Sequence, residues 1–166
     1  MNHIQAIRLS KVSLNITVAI FSTLVVFNNL VDYQSNFDFV KHVMSMDTTG
    51  NPAQTSWRAI DSETLWHSAY TLIIATEALI TILCWLGVIE LIRGMKVRNY
   101  SDFKGYAVYG LSLGICLWFL CFMGISGEWF LAWQSKSWNG IQPGFRISTV
   151  LLLILIYTTM DNDSLN

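Results

Sequence analysis

The stretch Ser68–Ile92, SAYTLIIATEALITILCWLGVIELI, decides the fold class. Crossing a bilayer takes roughly 20 apolar residues at a rise of about 1.5 Å each, and this run is long enough while carrying Glu77 well inside it. Glu77 would then lie about 6 Å on the outer side of a midpoint near Thr81. An acid at that depth costs about 2.5 to 3.5 kcal/mol to insert, so its carboxyl must be protonated, partnered or open to an internal water pocket. At a period of 3.6, Tyr70, Ile73, Ile74, Glu77, Thr81 and Cys84 share one face, a polar seam expected to face protein. Leu72, Leu79, Leu83 and Leu86 lie opposite and suit lipid.

Composition agrees with a membrane assignment. In 166 residues, 53% are hydrophobic and only 13% charged, too apolar for an ordinary soluble domain. The formal charge of -1, with its basic residues scattered, offers no tract for nucleic acid. Cys84, Cys116 and Cys121 all sit in apolar runs, so no loop disulfide framework is expected.

Outward from this stretch, the chain opens with a short basic segment, Arg8 and Lys11, that runs into VSLNITVAIFSTLVVFNNL, Val12–Leu30. The apolar part is too long for a signal-peptide core and no small-x-small site follows, so it reads as an uncleaved first span. Its far end is polar, with Asn28 and Asn29 in the last turn and Asp32 beyond. The loop from Tyr33 to His67 is long enough to carry structure of its own. Within it, Asn36–Met46 has a helical apolar stripe suited to the membrane surface or to capping a bundle. After the second span, RGMKVRNYSDFK, Arg93–Lys104, holds Arg93, Lys96, Arg98 and Lys104, the strongest orientation signal in the chain. It places this loop, and with it both termini, in the cytoplasm.

The third span, Gly105–Ser126, carries a small-residue stripe of Ala107, Gly110, Gly114, Cys121 and Gly124. Lipid gives helices no hydrophobic reason to associate, so close backbone approach over Gly110 and Gly114 is the expected packing contact. In the loop GEWFLAWQSKSWNGIQPG, Trp129 and Trp133 are four apart, which one helical turn would bring together at the interface. The fourth span is Phe145–Met160, short unless Gln142–Gly144 contribute, with Arg146 at its mouth. The tail Asp161–Asn166 reads as polar, acidic and loose. The expected architecture is therefore an all-α membrane protein: a four-transmembrane-helix bundle in one membrane domain, residues 1–166. Its spans fall at about 12–31, 68–92, 105–126 and 145–160, with two structured outer, periplasmic loops at 32–67 and 127–144.

Glu77 reads either as a structural acid hydrogen-bonded across helices, with Asn28, Asn29 or Arg146 as partners, or as a proton or ion carrier. Glu90, three residues before Arg93, reads as a solvated pair member. His42 and His67, with Asp38, Asp61 and Glu63, match no compact metal-ligand spacing, and no His lies within a span to hold haem. Nucleophile elbow, phosphate loop and Cys-x-x-Cys are all missing from the sequence, so neither a catalytic residue, a metal nor a cofactor is expected.

Three segments, VFNNLVDYQSNFDFVKHVMSMDTT, WRAID and GEWFLAWQSKSWNG, make the chain resemble a bacterial family of predicted small integral membrane proteins with a domain-of-unknown-function designation. The resemblance runs over nearly the whole chain. It implies four helices in an inner membrane of the Gram-negative type and no assigned activity. It also singles out Asn28, Asn29, Asp32, Asn36, His42, Asp47, Trp57, Arg58, Glu77, Glu128, Trp129, Trp133, Gln134, Trp138 and Asn139 as the residues to test first.

Two functions of different class follow. One is a non-enzymatic accessory, scaffold or partner-binding subunit, engaging a membrane or periplasmic protein, or a second copy, through its outer loops. The alternative is a small oligomeric transporter or ion-coupled carrier using Glu77, since four short spans leave little room for a pathway in a monomer.

Overall fold

The computed structural model describes residues 3–50, 53–161 and 163, and every regular element among them is helical. In chain order these are α1 (His3–Val31), α2 (Tyr33–Ser45), a 3-10 turn at Ser56–Arg58, α3 (Glu63–Gly94) and a 3-10 turn at Tyr100–Phe103. Then come α4 (Gly105–Cys116), its π-helical continuation Leu117–Trp129, a 3-10 turn at Ala132–Gln134 and α5 (Ile141–Thr159).

Four helices are long and apolar enough to cross a membrane: α1, α3, the stretch Gly105–Trp129 and α5, of 29, 32, 25 and 19 residues. Even the shortest reaches about 28 Å at 1.5 Å per residue, near the ~30 Å hydrocarbon core. That length is reached because α5 starts at Ile141 and not at Phe145. Pro143 falls in its first turn, where the missing N–H forfeits no helical bond. At the other end of the chain α1 starts at His3, so Arg8 and Lys11 ride on the helix instead of preceding it.

On these helices the buried polar side chains share a face with the packed core, and large apolar side chains stand on the exposed face. On α1 the buried polar residues are Arg8, Lys11, Asn15, Ser22 and Asn29, spaced so that they share one face, while Leu24, Phe27 and Leu30 are each at least 60% exposed. On α3 the buried seam holds Tyr70, Glu77 and Cys84, and Leu72, Leu79 and Leu86 are exposed. In water such helices would bury the leucines. In lipid the polar groups are the ones that must find protein partners.

The chain divides into two compact units, each built from discontinuous segments. The first takes residues 1–26, 77–114 and 149–166. Its core is Val12, Leu91, Tyr100 and Ala107, with Ile16 and Met95 packed against them. Here α3 and α4 meet over small residues: a Cβ added to Gly87 would lie 2.6 Å from Ala107 N, and one added to Gly110 would lie 2.9 Å from Cys84 Sγ and 3.0 Å from Cys84 N. A Cβ on Gly114 would meet Leu151 Cδ1 of α5 at 2.9 Å. Cys84, Cys116 and Cys121 are free thiols.

The second unit takes residues 27–76 and 115–148. Here α2 buries the stripe Phe37, Val40 and Val43. Phe37 and Val40 pack with Trp66 and Tyr70, and Val43 packs with Met46, Phe130 and Ala132. The helix stops at Met46, which takes a left-handed φ of 54° while its side chain is fully buried. That conformation costs a non-glycine residue about 1 to 2 kcal/mol, and burying a methionine returns about as much or more.

Beyond α4 the turns widen until Phe130 N–H donates to Ile125 O, five residues back, at 3.0 Å. Leu131 follows at φ 56°, which reverses the chain. Trp129 and Trp133 therefore stand on different elements and not on one helical turn: the left-handed residue between them breaks the helix that their spacing predicts.

Candidate functional site

The two long loops belong to the second unit, and polar and aromatic contacts tie them together. From α2, the His42 Nδ1 lies 2.6 Å from an Asp47 carboxylate oxygen. The His42 ring also stacks on Trp138 of the other loop, centroids 4.6 Å apart and planes 14° apart. Thr48 and Ser135 are hydrogen-bonded through their hydroxyls at 2.8 Å, and Gly50 N–H donates to Gln134 Oε1 at 2.9 Å. Ser135 Oγ in turn accepts the backbone N–H of Trp138. The three contacts between the loops, His42–Trp138, Thr48–Ser135 and Gly50–Gln134, join residues roughly 90 positions apart, so spacing within either loop carries no trace of them.

Arg58 sits between indoles: its guanidinium carbon is 5.6 Å from the Trp57 ring and 5.1 Å from the Trp129 ring, and those rings meet edge to face at 5.7 Å. Arg58 Nη1 donates to Trp129 O at 3.4 Å. Trp57, Trp129 and Trp133 remain 67%, 47% and 55% exposed. Asp32 and Glu128 are exposed, Asp32 at the N-cap of α2. Asn139 Oδ1 accepts the Ile141 N–H at 3.0 Å and so caps the start of α5. Asn36 donates to Asn29 Oδ1 at 2.7 Å, and Asn29 is buried whereas Asn28 is exposed.

A second aromatic group, of which the sequence points only to His67, joins α2 to the start of α3. Tyr33 OH is hydrogen-bonded to His67 Nδ1 at 2.8 Å, and Phe37 stacks on the His67 ring at 4.1 Å. Among the described residues no three His, Cys, Asp or Glu side chains gather as a metal-holding group.

In the first unit Glu77 is 4% exposed, and its backbone oxygen accepts the Thr81 hydroxyl at 2.8 Å, so that hydroxyl serves the helix backbone. Arg146, one of the partners considered for Glu77, is itself exposed. Glu90 pairs with Arg93 at the exposed end of α3, the solvated arrangement their spacing predicts.

The first unit also holds a charged cluster that no motif announces. Arg8, Lys11, Lys104 and Asp163 are 1%, 0%, 5% and 1% exposed. Arg8 Nη1 donates to the carbonyls of Gly94 (3.2 Å), Met95 (3.1 Å) and Val97 (2.7 Å), and Arg8 Nε donates to Asp163 O at 2.9 Å. Lys11 and Lys104 both donate to Met160 O, just past α5, and to the Asp163 carboxylate, at 2.6 Å for Lys11 and 2.9 Å for Lys104. The last carbonyls of a helix have no intrahelical donor and carry its negative end, so Arg8 caps α3 and the two lysines cap α5.

Asp163 is thus buried and doubly paired, and the tail is not loose at this position; Asn162 and Ser164–Asn166 lie outside the described residues. Burial alone would raise the Asp163 carboxyl, but hydrogen bonds from Lys11 and Lys104, with their charges, hold it below the usual carboxylate range. Tyr100 stacks under the Arg8 guanidinium at 4.7 Å. Burial, reinforced by the Asp163 charge and opposed by Arg8, pushes its phenol up to about 12. One signal for this cluster was present in the sequence: Arg8, Lys11 and Asn15 fall on a single face of α1. Asn15 completes the row by donating to Thr158 Oγ1 at 3.0 Å.

Four membrane-length helices with polar faces turned inward and leucines turned outward define an integral membrane protein. The chain belongs to the family described as Predicted small integral membrane protein (DUF2165), of unknown function, which it matches over residues 7–161. No curated protein and no solved structure matches it.

Proposed function

We propose that this protein is a non-enzymatic accessory subunit of a bacterial inner membrane, both termini cytoplasmic, that binds a membrane or periplasmic protein through its two outer loops. The observation that carries the reading is the combination of order and exposure in those loops. Trp57, Trp129 and Trp133 stay 47% to 67% exposed while His42–Trp138, Thr48–Ser135 and Gln134–Gly50 tie the backbone beneath them. Large aromatic anchors on an already ordered surface lose little entropy on binding, the property of interface hot spots. Arg58 between two indoles adds a charged group suited to a polar partner surface.

The test is affinity purification in mild detergent followed by mass spectrometry, with Trp57→Ala, Trp129→Ala and Trp133→Ala beside the parent. A stoichiometric partner lost in at least one variant of unchanged thermal stability supports the reading. Recovery of the chain alone, or of a partner indifferent to all three substitutions, refutes it. A small oligomeric carrier is the second reading, and what favours it is the burial of Glu77 inside a membrane-length helix.

A further inference from the structure

Within the first unit the buried cations outnumber their acid. Arg8, Lys11 and Lys104 are enclosed with Asp163, while Asp161, 3.8 Å from Lys104 Nζ, is 87% exposed and screened by water. Arg8 is committed to backbone carbonyls. Lys11 and Lys104 are not so committed: each ammonium has three donors, and they converge on one carboxylate and one carbonyl.

The Tyr100 ring lies 5.9 Å from Lys104 Nζ, and its hydroxyl, on a residue 1% exposed, has no hydrogen-bond partner among the described residues. These groups gather where α3 and α5 end and α4 begins, the ends of membrane-length helices and hence the depth of lipid headgroups. Exposed Lys96 and Arg98 on the adjoining turn add an attractive field for anions.

We infer that Lys11, Lys104 and Tyr100 form an anion seat for a phosphate oxyanion, and that the Asp163 carboxylate is its resident intramolecular competitor. The chemistry is matched in charge and shape. A carboxylate brings one negative charge and two acceptor oxygens to the two ammoniums, and so do the unesterified oxygens of a phosphodiester. Free phosphate has further oxygens, one of which can accept from the Tyr100 hydroxyl. The shared ligand is a phosphate group, supplied either by an anionic phospholipid or by inorganic phosphate. Because the competitor is carried by the chain itself, occupancy rises only when the Asp163 carboxylate leaves. The seat is thus silent at low ligand and switches as anionic lipid or phosphate accumulates.

The test uses the full chain in nanodiscs of phosphatidylcholine, with or without phosphatidylglycerol, and separately with inorganic phosphate. Lipid retention is read by native mass spectrometry, and phosphate binding by the shift in unfolding temperature. Asp163→Asn is expected to raise phosphatidylglycerol retention on the order of tenfold, two freed ammoniums acting together. The rise should vanish when Lys11→Gln and Lys104→Gln are added, and Asp161→Asn should behave as the parent. A response to phosphate without one to phosphatidylglycerol supports the seat and assigns it to the free anion. A folded Asp163→Asn protein that responds to neither overturns the inference. Should that variant not fold, carbodiimide labelling of Asp163 in the parent decides: labelling must rise several-fold in phosphatidylglycerol discs over phosphatidylcholine discs, and unchanged labelling overturns the inference equally.

Discussion

Lys11 Nζ lies 2.6 Å from an Asp163 carboxylate oxygen, a contact between residues 152 positions apart in which neither side chain exceeds 1% exposure. It ties the start of the first membrane helix to the chain just past the last one. A buried pair of this kind is weak evidence of net stabilisation when compared with an apolar replacement, but breaking it one-sidedly is expensive, because the remaining charge has no compensation.

Asp163→Ala should therefore lower unfolding free energy by about 3 to 5 kcal/mol, whereas Asp161→Ala, whose acid is exposed, should change it by less than about 1 kcal/mol. The measurement is thermal or denaturant unfolding in one detergent. Equal stability of the two variants would mean that the pair contributes nothing.

The same cluster sets a pH window. The folded Asp163 pKa is depressed, so its contribution is present above the unfolded carboxylate value of about 3.9 and is lost as pH falls through the lower folded one. Tyr100 works at the other end. Its phenol is raised to about 12, so its contribution is complete below the unfolded value of about 10 and is lost as pH rises through the folded one. Stability should thus be flat between about pH 5 and 9 on account of these groups, and Tyr100→Phe should remove part of the alkaline loss. An alkaline transition identical in parent and Tyr100→Phe would dismiss the assignment.

Glycine substitutions should grade with what each new Cβ meets. Gly87→Ala drives a methyl into the Ala107 backbone at 2.6 Å, and Gly110→Ala meets both Sγ and backbone N of Cys84. Gly114→Ala meets the ends of side chains, Leu151 Cδ1 at 2.9 Å and Ile80 Cγ2 at 3.8 Å, and Gly105→Ala meets nothing within 4 Å. Overpacking costs typically about 1 to 3 kcal/mol, so Gly87→Ala should be worst and Gly105→Ala harmless. An order with Gly105→Ala at the bottom of the stability series would refute the α3–α4 contact.

The basic residues of Arg93–Lys104 predict a cytoplasmic loop. Reporter fusions at Gln54 and Asn139 should read as periplasmic and one at Asn99 as cytoplasmic; a cytoplasmic signal at Gln54 would reverse the orientation.

Glu77 separates the two functional readings. Glu77→Gln keeps size and hydrogen-bonding capacity but cannot ionise, so a structural acid should tolerate it, with Glu77→Leu alone losing yield and thermal stability. Normal stability of Glu77→Gln with lost growth or partner recovery would favour the carrier instead.

Much of the fold is legible in the chain itself. Apolar runs of membrane length, the 3.6-residue seam of Tyr70, Glu77 and Cys84, and the stripe in α2 each arise from local side-chain spacing, because lipid imposes length and a helix imposes period. The helices extend beyond the apolar runs, α1 back to His3 and α5 back to Ile141, because hydropathy marks only where the apolar residues begin and not the partners that let Arg8 and Lys11 be buried on α1. The left-handed Leu131 and the π-helical Leu117–Trp129 were not readable, because leucine and tryptophan have no preference for either conformation and only packing holds them there.

What the amino-acid sequence determined by itself is thus the class: an all-α protein that crosses a membrane, with polar faces that must be answered from within. Which groups answer them was decided only in the tertiary structure. Lys11 meets Asp163, His42 meets Trp138 and Gly87 meets Ala107 across long separations in sequence. A buried charge requires some partner wherever it sits, but nothing local to it specifies which one, and that choice belongs to the packing of whole helices.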